Sequence, residues 1–265
     1  MPDGVREPFR YITPETLMRL RFGNQDWPRW DVGILCFRGR SGSEALAGAL
    51  GARPAGRKTL YGLEETPELP QVYEAERGGH RIVLVSRCLW GGPQTAILVE
   101  ELACLGVGVV VGFGVAGSLA PDLPKGTQVV ASAGIVSDGT SRAYTALDEL
   151  SADPGLAAVV DAAARGLGLP VAPVKVATVD ALYRETPADV RSWLGRGARA
   201  INMETAPLYA AAAACQVRSV WLGHISDSLS LESQEWDPWL RPAALTDVTV
   251  ALTVGLLERL PFPGV

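Results

Sequence analysis

The chain reads as an α/β protein, a single domain on a mixed, mainly parallel central sheet with helices on both faces. Three observations predict this class. Short apolar runs of strand length alternate with helix-like stretches from about residue 31 onward, the order that lays parallel strands beside crossover helices. The run 106–111 is apolar without a break, as a strand buried on both faces has to be. A length of 265 residues, 48% hydrophobic and 20% charged, provides for one large core. Residues 1–30 stand apart as an amino-terminal extension, and 31–265 form the α/β domain.

Within the extension, 13–20 reads as a helix. The domain opens with a strand at 32–37 and a small-residue helix at 43–50. A strand at 81–86 leads to a helix at 93–105, with Pro93 in the first turn, where a missing N–H costs nothing. Strands follow at 106–111 and 127–131, then a helix at 154–167, a strand at 171–177 and a helix at 187–193. The stretch 200–203 enters a helix at 205–215, whose alanines at 210–214 are strong helix formers. A strand at 217–225 and a long helix at 242–260 close the chain. In such a sheet ligands bind outside the carboxyl ends of the strands, so the polar and glycine-rich segments after each apolar run deserve the closest reading.

Four of these segments carry chemistry. Gly112-Phe113-Gly114-Val115-Ala116-Gly117-Ser118-Leu119 follows the run 106–111, and Asp138-Gly139-Thr140-Ser141-Arg142-Ala143-Tyr144 follows 127–131. Ala200-Ile201-Asn202-Met203-Glu204-Thr205 puts a carboxylate and a thioether at a helix start, and Ile225-Ser226-Asp227 ends the next apolar run. In this order and spacing they resemble the nucleoside phosphorylase superfamily, which includes uridine and purine nucleoside phosphorylases and related nucleosidases. The stretches 91–102 and 179–186 share the likeness, which covers about residues 31–260. The resemblance implies cleavage of the N-glycosidic bond of a nucleoside, a small-molecule partner and a homo-oligomer, dimer or hexamer; the cysteine usage, read separately, predicts a reducing, cytoplasmic compartment. The resemblance implies no cofactor beyond inorganic phosphate as co-substrate.

That reaction needs three things: a hold on the sugar hydroxyls, an acid for the leaving base and a nucleophile. Glu204 suits the first, since a carboxylate accepts from two vicinal hydroxyls at once. Met203 offers the sugar a flexible apolar surface, and Asn202 stands where many family members carry a second Glu. Read without the family, Glu204 is better explained as a helix amino-terminal acid favoured by the macrodipole, with Met203 in the core. Asp227 suits the second task, a role that needs a buried carboxyl. Pyrimidine-specific relatives usually lack this acid, which tilts the substrate toward a purine nucleoside. Arg241 is a candidate helper. Leu182, Tyr183 and Gly117 match base-side positions of the family, with core packing the alternative for Tyr183.

The nucleophile side departs from the family. Phosphorolytic relatives carry an Arg just before the glycine-rich segment and a Thr within it; here these positions hold Gly112 and Val115, flanking Gly114. Arg38, Arg40 and Arg87 are the candidate replacements for binding phosphate and forming a sugar 1-phosphate, with solvated surface charge as their alternative. In nucleosidases a Glu after the first strand activates water, and Glu44 is the match, or else a helix first-turn acid. A nucleoside-binding homologue without catalysis is the remaining alternative.

Composition narrows the rest. A net charge of −5, with the two signs interspersed, gives no footprint for nucleic acid. Residues 102–121 are uncharged but hold five glycines, which favours a buried strand over a membrane helix. Four scattered cysteines without a CxxC read as reduced thiols, and two histidines give no metal cluster. His224 reads as a core residue and His80 as a solvated turn residue. In a homo-oligomer, Arg6, Arg10 and Tyr11 are the candidates for reaching a neighbouring site.

Overall fold

Glycines that punctuate the sequence as loops prove to lie inside long strands, and this decides the architecture. The computed structural model describes residues 10–24, 26–238 and 243–261. In chain order the elements are α1 (Pro14–Phe22), β1 (Val32–Cys36), α2 (Arg40–Leu50), β2 (Arg53–Pro54), β3 (Val72–Arg77), β4 (His80–Val85), α3 (Gly92–Cys104) and β5 (Val109–Ser118). Then come β6 (Gln128–Ser137), α4 (Gly139–Arg142), β7 (Glu149–Ser151), α5 (Pro154–Leu167), β8 (Val171–Val179), a 3-10 turn (Leu182–Arg184) and α6 (Pro187–Gly195). The chain continues through β9 (Ala198–Asn202), α7 (Thr205–Ala214), β10 (Arg218–Leu229), β11 (Trp236–Asp237) and α8 (Ala243–Leu257).

The strands form one mixed α/β sheet. β1 pairs parallel with β4 and β5, and the two longest ladders, β5 with β10 and β6 with β8, are parallel. β10 also pairs antiparallel with β6, β8 pairs with β9, and β9 returns antiparallel to β5 at Gly117 and Ser118. β5, β10, β6, β8 and β9 therefore close on themselves like a small barrel, and β1, β4, β3 and β2 extend from β5 as an open wing.

Three strands run further than the sequence suggests. The reading stopped them at 111, 131 and 225, whereas β5 reaches Ser118, β6 Ser137 and β10 Leu229. The glycines there serve close packing. A Cβ on Gly112 would stand 2.5 Å from Trp221 Cδ1, and one on Gly223 would run into the Gly114 carbonyl. Small residues let β5 and β10 approach around the fully buried Trp221 ring. Likewise α2 begins at Arg40, leaving only residues 37–39 between β1 and the helix. Sequence reading also missed β2, β3, β7 and β11, which are short or carry little apolar signal.

Helices cover the sheet in two groups. α1, α3, α4 and α7 pack together, and α2, α5 and α8 form the other set. α7 is apolar all round and buried along nearly its whole length, as a central helix must be. It presses on β6 where Gly134 has no side chain, and its Tyr209 hydroxyl donates to Ala131 O at 2.6 Å while accepting from Trp221 N–H at 3.0 Å. This one hydroxyl satisfies two strands at a point where β6 shifts register. A second, smaller apolar cluster (Leu119, Ile135, Ala177, Val179, Val190, Trp193, Ala198, Ile201) lies beneath the motif end of the barrel, with Met203 and Leu229 against it.

His80 corrects an expectation. It is 3% exposed rather than solvated, because the Gly78-Gly79 turn packs against the end of α8 and His80 Nε2 lies 3.3 Å from Leu260 O. α1 packs on α3, and Arg10 of the extension pairs with Glu100 at 2.8 Å. Arg6 and Arg241 lie outside the described residues. Among those described, no helix is long and apolar enough to cross a membrane.

Candidate active site

Three of the four motif segments meet at Gly117, while the fourth, Asp138–Tyr144, lies against Gly92 and Asp180 instead. In β5 Gly117 has Asp227 of β10 as its register partner on one side and Ile201 of β9 on the other. A Cβ here would stand 3.2 Å from Asp227 Oδ2 and 3.2 Å from Ile201 Cγ2, so a side chain at this buried position would press on both. β10 thus delivers Asp227 to one flank, and β9 delivers Asn202, Met203 and Glu204 to the other.

Asp227 owes its aim to a bulge. The β5–β10 register passes from Ile225–Ala116 to Asp227–Gly117, leaving Ser226 as an extra residue. The Ser226 hydroxyl donates to Asp227 Oδ1 at 2.6 Å, and the Trp236 indole N–H donates to Oδ2 at 2.9 Å. Asp227 therefore sits within β10, half-buried, and not in a loop beyond it.

Glu204 is buried, 4% exposed, at the start of α7. Gly91 N–H donates to its Oε1 at 3.3 Å and Met203 N–H to its Oε2 at 3.2 Å. Burial pushes its carboxyl up to about 7 against these two donors. Asn202 has internal duties. Its Oδ1 accepts from Glu204 N–H and Thr205 N–H, and its Nδ2 donates to Thr205 Oγ1 at 2.8 Å. It closes the first turn of α7, whose N–H groups have no helical partner.

The base-side residues singled out in the sequence divide. Gly117 is central, whereas Leu182 and Tyr183 stand exposed on the 3-10 turn, Tyr183 at 96%. Sequence reasoning missed two neighbours of Asp227. Trp236 comes back through the β10–β11 hairpin, and Glu185, half-buried, is pushed up to about 7 by burial and then by the charge of Asp227. An aromatic and an acid, each within ten residues of a recognised motif, were the available signals.

On the nucleophile side the three arginines have different company. Arg40 forms an exposed pair with Glu44 at 2.7 Å. Arg87, in the left-handed region at φ 51°, donates to Pro70 O at 2.7 Å and holds the loop before β3. Arg38 is half-buried. Its Nη2 donates to Thr246 Oγ1 at 3.1 Å, and its Nη1 lies 3.4 Å from Nε2 of His224, the register partner of Val115. A guanidinium only donates, so His224 accepts at Nε2 and turns Nδ1–H to Thr249 Oγ1 at 3.1 Å. Burial, and then the charge of Arg38, lower His224 to about 4, so the ring is neutral. Gly114 and Val115 contribute no side-chain donor. The recesses beside α1 (Glu15, Arg19, Trp27, Cys104) and at Trp30, Arg57 and Glu74 share no residue with this site.

Comparison with known proteins bears on the family and the fold. Residues 45–247 match the family model described as the phosphorylase superfamily. The chain is 29% identical over 187 residues to a DeoD-type purine nucleoside phosphorylase of Streptococcus uberis, covering 69% of this chain and 77% of that protein. It is 33% identical over 124 residues to a guanosine phosphorylase of Halorubrum lacusprofundi, covering 46% and 51%. An uncharacterized protein of Acanthamoeba polyphaga mimivirus is matched over 61% of its length, at 29% identity across 60% of this chain. Among solved structures, Toxoplasma gondii purine nucleoside phosphorylase in complex with immucillin-H superposes with a TM-score of 0.70 at 21% identity, covering 87% of this chain and 91% of that one. AMP nucleosidase of Bacteroides thetaiotaomicron superposes with a TM-score of 0.69 at 17% identity, covering 93% and 97%. The chain belongs to the phosphorylase superfamily.

Proposed function

We propose that this member of the superfamily cleaves the N-glycosidic bond of a purine nucleoside, with inorganic phosphate as nucleophile, to give free base and sugar 1-phosphate. The observation that carries the reading is the meeting of three motif segments at Gly117, with Asp227 on one flank and the strand that leads into Asn202–Glu204 on the other. Asp227 gives a proton to a ring nitrogen of the base as the bonding pair leaves the anomeric carbon. Glu204, ionised above pH 7, accepts from the ribose hydroxyls. Met203, half-buried on the smaller apolar cluster, supplies the sugar's apolar contact. Asn202 acts through the backbone of α7, holding Glu204 in place. The purine and guanosine phosphorylases among the relatives support the choice of base. Arg38, half-buried beside the β5–β10 ladder at Val115 and His224, is the cation we assign to phosphate. The same reading includes a homo-oligomer, checked by light scattering.

One observation favours water instead. Gly112, at the position of the phosphorolytic Arg, faces Trp221 and Leu208 with no space for a side chain, and Val115 has no hydroxyl. Glu44, the candidate base for water, is engaged with Arg40 on the surface.

Base release from inosine, guanosine and adenosine, with and without phosphate, tests both. Sugar 1-phosphate formed only with phosphate, and lost in Arg38→Ala, supports the proposal. Free sugar at a phosphate-independent rate supports the hydrolytic reading. Base release that survives Asp227→Asn unchanged contradicts both.

A further inference from the structure

Five large apolar side chains gather on one outer face of the wing. Tyr61 and Leu69 stand on the loop between β2 and β3, Leu89 and Trp90 on the segment that enters α3, and Ile97 on α3 itself; each is between 45% and 67% exposed. Hydrogen bonds join the three segments. Gln94 takes the Leu89 N–H on its Oε1 and donates from Nε2 to Gly62 O at 3.1 Å. A Cβ on Gly62 would stand 2.7 Å from Ile97 Cγ2, so the loop lies directly on α3. The buried Glu101 accepts the Gly62 N–H on both oxygens, at 3.1 and 3.2 Å, and Arg87 donates to Pro70 O at the far end of the loop. The face is therefore built before anything covers it, and covering it orders little further chain.

We propose that two copies of this chain meet on this face, the outer row of one α3 crossing that of the other about a two-fold axis near Ile97. This names the contact face of the homo-oligomer in the reading above, on which it rests only for that oligomer and not for nucleoside cleavage. Residues 89–99 carry no charge, and Pro93 and Ile97, one turn apart, are the exposed row of α3. An uncharged centre with Trp and Tyr and a charged rim is the composition of a protein interface. The five side chains expose on the order of 500 Å2, and a two-fold contact doubles this to about 1,000 Å2, the size a specific interface has to clear, before its rim is counted.

The rim suits a like partner. Around the helix, Gln94 and Glu101, which hold the loop, lie on one side of Ile97, and Glu100, which pairs with Arg10, lies on the other. The loop side is acidic, with Glu64 and Glu68 exposed, and the extension side presents Arg10. A two-fold rotation about an axis near Ile97 lays the acidic side of each copy toward the basic side of the other. The contact also reaches the candidate site from behind. Trp90 precedes Gly91, whose N–H donates to Glu204 Oε1, so a second copy seated on Trp90 braces the segment that holds this acid.

Light scattering on the parent and on Trp90→Glu and Ile97→Glu tests the face. The parent is expected to run as a dimer or an even multiple at micromolar concentration. Each variant is expected to raise the dissociation constant of this contact about a hundredfold, with an unchanged far-UV circular dichroism spectrum. A monomeric parent, or an oligomer that both variants leave intact, overturns the proposal. Should the glutamate variants fail to fold, Ile97→Cys decides. Covalent dimers formed on mild oxidation with copper phenanthroline, and absent from the parent, support the crossing at Ile97, and their absence refutes it. Base release is read in no arm, so failure of the cleavage reaction leaves this result standing.

Discussion

Replacing Glu204 by Gln tests the ribose side most directly, because the cost of its charge can be worked out in advance. The carboxyl is buried and titrates near 7, against 4.5 in the unfolded chain. Between those values the folded protein holds a proton that the unfolded chain has released. Stability therefore falls as pH rises through that window, and the loss is complete above pH 7. The displacement corresponds to about 3 kcal/mol. Gln carries no such cost, but its amide can accept only one of the two N–H groups from Gly91 and Met203, and its NH2 then opposes the other. That opposition costs about 1–3 kcal/mol at any pH. Glu204→Gln is thus expected to destabilise near pH 5 and to be neutral or stabilising at about pH 8, a swing of about 3 kcal/mol. In thermal unfolding the swing amounts to roughly 6–12 °C in the variant-minus-parent Tm. Glu101 and Glu185, also pushed up to about 7 by burial, cancel in that difference. In activity, the parent's KM for a nucleoside falls as pH rises through 7, and the variant's KM is high and flat. A Tm difference equal at the two pH values would refute the reasoning, since Glu204 would not be a buried acid ionising near neutrality.

Three further substitutions probe the frame around it. Gly117→Ala puts a methyl 3.2 Å from both Asp227 Oδ2 and Ile201 Cγ2; steady-state assays should show kcat/KM down about tenfold with only a small change in Tm. Tyr209→Phe strips partners from Ala131 O and Trp221 N–H in the core, and urea unfolding should show a loss of about 2–3 kcal/mol. Arg38→Ala removes the smaller of the two causes that lower His224, so an NMR titration should find its pKa above 4 yet still below the ordinary value of 6.5, because burial remains. His224 is neutral when folded and stability declines as pH falls from 6.5 toward 4, so the variant should lose less over that window.

The fold class was legible because alternation and apolar runs record burial, and burial by neighbours in sequence order sets the α/β pattern. Strand ends were not legible. Gly112, Gly114 and Gly223 carry the same letter as turn glycines, yet the first two are required by the Trp221 ring and the third by the Gly114 carbonyl, contacts between residues about a hundred positions apart. Asp227 and Glu204 could be found because each follows an apolar run at a motif. Trp236 could not, since a two-residue strand gives no periodicity and its bond to Asp227 exists only once the hairpin closes. Asn202 shows the limit from the other side. Its residue type suits a sugar hydroxyl, but three local hydrogen bonds turn it to the helix it precedes.

The departure at Gly112 is a matter of packing as well as of lost charge. Trp221 fills the space over Gly112 and Gly114 so completely that its indole N–H is buried without a partner, a cost that close packing of β5 on β10 must offset. An arginine at 112 and a tryptophan at 221 exclude each other, so the anion clamp of phosphorolytic relatives cannot return by a single substitution. Meanwhile the carboxylate at Asp227 and the buried acid at Glu204 keep their supporting bonds. On the proposed reading the two halves of the site are separable: proton delivery and ribose binding would rest on β9, β10 and the bulge at Ser226, whereas the nucleophile would depend on what lies outside β5. Arg38, the cation proposed for phosphate, fits that division, because it lies just beyond the end of β1, contacts His224 of β10 and leaves the Trp221 packing untouched.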